Sequence, residues 1–152
     1  MIIVWLYLMN RQGITKKGGG ENMKIVVGYD GTSEANKAMD LAKIHAKAFG
    51  ATVYVLKSRS TGTDAELPDI KKDEEQLEYV KQEMKRAGVD CEIKLMIRGG
   101  TPAEDILDFA VENKVDEIII GIAKRSPVGK LLFGSNAQYV ILNAECPVVT
   151  VR

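Results

Sequence analysis

Lys24-Ile25-Val26-Val27-Gly28-Tyr29-Asp30-Gly31-Thr32-Ser33 begins as a short run of β-branched residues and ends in a turn of aspartate, glycine and hydroxyl side chains. Directly after it, Ala35, Ala38, Met39, Ala42, Ala46 and Phe49 recur at helical spacing until Gly50 stops the pattern. A strand that turns through glycine into an amphipathic helix is the first half of a βαβ unit, and the same alternation continues to the end of the chain. Strands are predicted at residues 24–29, 52–57, 91–97, 116–121 and 148–151. Most are apolar throughout, as strands covered on both faces must be.

The intervening segments read as helices. Ile70, Leu77, Val80, Met84 and Ala87 mark the buried side of a second helix ended by Gly88. The third opens with Thr101-Pro102-Ala103-Glu104, a capping box with proline at the first helical position, and its inner stripe is Ala103, Ile106, Leu107, Ala110 and Val111. A fourth, capped by Ser135, buries Ala137, Val140, Ile141 and Ala144 before Pro147 stops it. Right-handed crossovers joining five parallel strands give a single doubly wound α/β domain of strand order 3-2-1-4-5, with helices on both faces. Ligands in such sheets bind where the order reverses, so the loops at residues 30–33 and 121–135 are expected to face each other across a crevice.

The whole chain supports one such unit. Its 152 residues suffice for a core without metal or disulfide staples, and 21 basic residues balance 21 acidic ones. That balance leaves no bulk positive field for nucleic acid or an anionic membrane, so neither is expected as a partner. Cys91 and Cys146 sit in or beside apolar runs and read as reduced, buried thiols, which suits the cytoplasm. Residues 1–22 differ from the rest: nine almost wholly apolar residues precede Arg11, Lys16, Lys17 and Gly18 to Gly20. Nine is far short of the roughly 20 that a membrane helix needs, so this extension is read either as an arm or as an upstream addition to a domain spanning residues 23–152.

Chemistry concentrates after the fourth strand, in Gly121-Ile122-Ala123-Lys124-Arg125-Ser126-Pro127-Val128-Gly129-Lys130-Leu131-Leu132-Phe133-Gly134-Ser135-Asn136. Glycines allow close backbone approach, the start of the next helix directs amide groups at an anion, and Lys124, Arg125 and Lys130 add formal charge. With the first-strand segment at 25–33 and the closing Cys146-Pro147-Val148-Val149-Thr150-Val151, this stretch resembles the universal stress protein family. Gly121, Gly134 and Ser135 stand in register with the family's G-x-x-G-x9-G-S/T nucleotide motif. The resemblance implies an adenine nucleotide alpha hydrolase-like fold holding ATP or another adenine nucleotide. Asp30 would lie by the ribose and phosphates and could hold Mg2+. Ser58 would meet the adenine, and Gly121, Gly134, Ser135 and Asn136 would line the phosphate path, with Arg125 and Lys130 at positions that are often basic. Two departures stand out: Lys124 replaces the second motif glycine, and Lys57-Ser58 replaces the usual histidine-valine pair.

Plainer roles remain open for several of these residues. Asp30 could order its own turn, Ser135 could serve as a helix cap, and Arg125 and Lys130 could be solvated charges. His45, the sole histidine, reads as a boundary residue, and one histidine with two distant cysteines makes no zinc site. The run Lys71-Lys72-Asp73-Glu74-Glu75 reads as the wet face of the second helix, and residues 61–69 as a loop over the nucleotide. No Walker A spacing follows the first strand. The leading expectation is thus a dimeric, nucleotide-binding regulatory protein without catalytic residues. The alternatives are an interaction module that has lost the nucleotide and a slow ATP hydrolase. Dimerisation is expected through the apolar edge strand 148–151, which a monomer should leave covered or charged.

Overall fold

The computed structural model describes residues 22–59, 67–97, 99–123 and 134–152. Residues 1–21 of the N-terminal extension and the candidate residues Lys124, Arg125 and Lys130 lie outside them. In chain order the elements are β1 (Lys24–Gly28), α1 (Ser33–Phe49), β2 (Thr52–Ser58), α2 (Leu67–Arg86), β3 (Cys91–Met96), α3 (Pro102–Glu112), β4 (Glu117–Gly121), α4 (Ser135–Asn143) and β5 (Val148–Val151). All strand pairings are parallel and the order is β3-β2-β1-β4-β5, as the sequence predicts.

Strand alternation divides the core in two. Ile25, Val27, Val53, Val55 and Ile119 point to the face covered by α1 and α2, where Ala38, Ala42, Leu77 and Met84 are fully buried or nearly so. Val26, Leu56, Ile118 and Ile120 point to the opposite face, covered by α3 and α4 through Ile106, Phe109, Ala110 and Val140. The α3 capping box forms as predicted: Thr101 Oγ1 accepts from the Glu104 amide, and the Thr101 amide donates to Glu104 Oε2 at 2.7 Å.

Three residues expected inside are on the surface. Phe49 is exposed because it lies in the last turn of α1, beyond the edge of the sheet-facing stripe. Val111 and Ile141 flank the inward lines Ala103-Ile106-Ala110 and Ala137-Val140-Ala144 one position too far round, and both face outward. The loop expected at 61–69 is shorter than its reading, since Leu67 already begins α2, and its remaining residues are outside the described set.

The larger correction concerns Asp73, which is 4% exposed and not on a wet face. It lies three residues from Ile70 and four from Leu77, on the same inward stripe of α2. Lys57 Nζ approaches its Oδ1 at 2.7 Å, Arg59 Nε donates to its Oδ2 at 2.6 Å, and Lys57 also donates to Gln76 Oε1. A buried carboxylate is tolerated when two cations satisfy it, and here they tie the start of α2 to the end of β2. His45 is settled similarly at the other end of the sheet, where its Nδ1 lies 2.9 Å from Glu117 Oε2, far from the β-strand C-termini. Cys91 and Cys146 are free and belong to opposite edges of the sheet, and burial pushes both thiols up to about 11.

Burial alone would raise the Asp73 carboxyl, but the hydrogen bonds and charges of Arg59 and Lys57 outweigh it and hold the group below the usual carboxylate range. A depressed folded-state value stabilises above the unfolded pKa of about 3.9, and that contribution is lost as pH falls through the folded value. Asp73→Asn is therefore expected to cost about 3 kcal/mol at pH 7, the low end for a buried pair because Arg59 is partly exposed. In urea titrations the gap to the parent protein should narrow steadily below about pH 4.

Candidate functional site

Because β2 and β4 run past the end of β1, a notch opens at the point where the strand order reverses. The last pairs of β1 are Gly28 with Leu56 and with Ile120, which leaves Lys57, Ser58 and Gly121 projecting beyond it. A cleft of about 170 Å3 occupies this notch. Its β2 side is formed by Leu56 and Ser58 with Pro102 and Ile106 of α3, and its β4 side by Gly121 with Asn136, Ala137 and Val140 of α4. Tyr29 and Asp30 close it from β1.

Asp30 does order its turn. Its Oδ1 accepts from the Thr32 amide at 3.0 Å and from Thr32 Oγ1 at 2.6 Å, while Thr32 Oγ1 caps α1 by accepting from the Ala35 amide. Gly31 between them has φ +84°, the left-handed region that side chains disfavour, and a Cβ there would also meet Gln76 Nε2 at 2.8 Å. Both of these bonds fall on Oδ1 of the exposed carboxylate, and Oδ2 makes none among the described residues. Burial pushes the Tyr29 phenol up, and the neutral hydroxyl donates to Asn36 Oδ1 at 3.3 Å. On the far side, Gly134 and not Ser135 is the N-cap of α4, since Gly134 has extended geometry and its carbonyl accepts from the Gln138 amide. Glycine has no side chain to cap with, so among the described residues the first amides of α4, beside Asn136, have no side-chain cap.

Gly121 is fixed by the close approach of another backbone. A Cβ at that position would lie 2.5 Å from the Glu34 carbonyl oxygen and 2.7 Å from the Ala35 nitrogen. The end of β4 therefore touches the first turn of α1 directly, and the cleft wall here is bare main chain.

Of the residues singled out in the sequence, Asp30, Ser58, Gly121 and Asn136 line one cleft, and Gly134 and Ser135 adjoin it at the start of α4. Sequence reasoning missed the apolar walls and Asp105. This aspartate is 2% exposed and accepts a 2.5 Å hydrogen bond from Ser58 Oγ on its Oδ2. The available signal was its position four residues before Phe109, on the inward side of α3. The donor set of the described residues suits a nucleotide with a hydrated divalent ion: apolar side chains on the β2 side, main-chain amides at the start of α4, and the carboxylate of Asp30 at the end of β1. Among the described residues no group of three or more histidine, cysteine or acidic side chains comes together.

A five-stranded doubly wound sheet with its cleft at this switch point is of the adenine nucleotide alpha hydrolase-like class. The chain belongs to the universal stress protein family, whose sequence profile matches residues 21–152. A universal stress protein of Thermus aquaticus is 35% identical over 139 residues, covering 84% of this chain and 97% of the relative. The solved universal stress protein of Archaeoglobus fulgidus superposes with a TM-score of 0.75 at 36% identity, covering 86% of this chain and 93% of that one. An Archaeoglobus fulgidus universal stress protein in complex with dAMP superposes with a TM-score of 0.72 at 33% identity, covering 86% and 98%.

Adding one methyl group at position 121 forces β4 and α1 apart. Gly121→Ala is expected to lower stability by about 1 to 3 kcal/mol, read as a fall in thermal midpoint, with the fold retained in far-ultraviolet circular dichroism.

Proposed function

We propose that the chain binds an adenine nucleotide in this cleft, with ATP and Mg2+ the first pair to test, and acts as a dimeric regulatory protein of the stress response. The observation that carries the reading is the paired character of the notch. Its β2 side carries the apolar Leu56, Pro102 and Ile106, as a base requires, and its β4 side is bare glycine backbone beside a helix start that no described side chain caps, as phosphate requires. The relative solved with dAMP, at 33% identity, supports it. Asp30 would hold the ion through its spare oxygen, and Lys124, Arg125 and Lys130 would add charge along the phosphates. No catalytic residue is part of the proposal, because Asp30 is already committed to its turn through Oδ1. Occupancy would instead alter the surface offered to partner proteins. The free cysteines on opposite sheet edges support a reducing, cytoplasmic setting.

Denaturing the purified protein without added nucleotide and assaying the supernatant by chromatography and mass spectrometry is expected to release an adenine nucleotide. Where purification has stripped it, calorimetric titration with ATP and Mg2+ should recover binding. Asp30→Ala should weaken that binding at least ~10-fold in Mg2+, as expected when a charge-assisted contact is lost. No release and no binding at millimolar ATP would leave the interaction module as the function.

The dimer would form through β5. Ile118 and Ile122 donate to the carbonyls of Pro147 and Val151, so the intervening Thr150 turns its amide to the open edge and is exposed. Apolar Tyr139 and Leu142 of α4 are exposed as well. Pairing two such edges would cover the unpaired groups of both. Thr150→Pro removes an outward amide and leaves the β4 ladder intact, so it should give a folded monomer in sedimentation velocity where the parent sediments as a dimer.

A further inference from the structure

None of the described residues of α2 lines the cleft, yet one of them fixes the turn at its mouth. Gln76 stands three residues after Asp73, on the same side of α2, and is half-buried. Lys57 Nζ donates to its Oε1 at 2.6 Å, and because an ammonium only donates, the atom there must be the amide oxygen and Nε2 must point elsewhere. That nitrogen would lie 2.8 Å from a Cβ on Gly31, so α2 fills the space beside the turn that glycine leaves open. Gln76 also hydrogen-bonds the Tyr29 phenol. Since the Tyr29 hydroxyl gives its one proton to Asn36 Oδ1, its oxygen is left to accept from Nε2.

Every proton in this chain of contacts has one direction. It runs from Lys57, anchored at 2.7 Å on Asp73 Oδ1, through Gln76 and Tyr29 to Asn36 of α1. Tyr29 and Gly31 are the two neighbours of Asp30, so α2 holds the turn that presents the carboxylate on both sides of it. If the start of α2 lifts, buried Tyr29 loses its donor and Gly31 regains its freedom, and Asp30 is held less closely. A ligand that uses Asp30 binds the seated state better and must stabilise it by the same factor. Resting on the nucleotide reading above, we propose that Gln76 is a positioning residue that couples the cleft to α2: a bound nucleotide seats the first turns of α2, and whatever loosens those turns weakens the nucleotide. Gln76 touches no ligand. Because α2 packs on β2 and β3, occupancy is displayed on the side of the sheet away from the β5 edge.

The test reads amide hydrogen exchange by mass spectrometry, with and without ATP and Mg2+, in peptides covering residues 69–77. Only amides that exchange by local opening, faster than global unfolding allows, are compared, because a ligand slows globally exchanging amides whatever its route. In the parent protein saturating ATP should slow these amides at least ~5-fold, and in Gln76→Leu, saturated in turn, the slowing should be lost. Calorimetric titration should show the reciprocal effect, with ATP bound at least ~5-fold more weakly by Gln76→Leu. Lys57→Met leaves Asp73 paired with Arg59 and removes the donor that orients Gln76. It should weaken ATP similarly, and the double variant should be worse than either single one by no more than about 2-fold. Losses that multiply would mean two independent packing roles and overturn the coupling. If Gln76→Leu does not fold, the parent's exchange and Lys57→Met decide the matter. A parent that binds ATP with no change at residues 69–77, or slowing that persists in Gln76→Leu, overturns the inference and leaves nucleotide binding standing. A folded parent that binds no ATP overturns the nucleotide reading, and this inference with it.

Discussion

Where β4 ends, the backbone of Gly121 rests against the backbone of Glu34 and Ala35, and no side chain of any size fits between them. That contact sets how deeply the first turn of α1 sits against the sheet. It therefore also sets where Thr32 caps the helix and where Asp30, bound to Thr32, is held. Release of the contact would move one wall of the cleft and the carboxylate at its mouth together. The notch itself needs only that β1 stop short of its neighbours. Its shape needs this glycine.

Around the notch the two faces of the sheet are treated differently. Lys57 and Ser58 are adjacent in β2 and their side chains go to opposite faces, as strand geometry demands. Lys57 reaches Asp73 on α2, and Ser58 reaches Asp105 on α3. Each helix thus contributes one buried carboxylate to the end of the same strand. Loss of either anion would leave a polar group without its partner inside the protein, which is costlier than never having placed it there. The end of β2 is accordingly held from both sides, next to the position where precision matters.

The strands and their order were legible because fully apolar β-branched runs alternate with helical stripes, and right-handed crossovers leave few ways to arrange five parallel strands. The switch-point loops followed from that order, which brought Asp30 and Gly121 together before any coordinates, whereas Ser58 and Asn136 joined them only through the family resemblance. What the sequence hid depends on partners distant along the chain. Asp73 looked solvated because it stands among charges, although its helical phase places it inward, and only the proximity of Lys57 and Arg59 makes that phase tolerable. Asp105 was hidden for the same reason. Ser135 looked like a cap by residue type, but the backbone bends one residue earlier, at Gly134. Val111 and Ile141 show that a stripe drawn one residue too wide captures side chains that the neighbouring layer does not reach.

The ion cluster at the end of β2 also has a consequence for how the gene can change. Arg59 leaves the strand and meets Asp73 and, more loosely, Asp69, so the two ends of the connection between β2 and α2 are clamped to each other. Once the ends of a connection are fixed, doubling its length costs only about 0.6 kcal/mol in closure entropy. Lengthening between such pinned ends is thermodynamically cheap, whereas a single added carbon at Gly121 is not. The fold thus sets a connection whose two ends are pinned by ion pairs beside a cleft wall that admits no added carbon at Gly121.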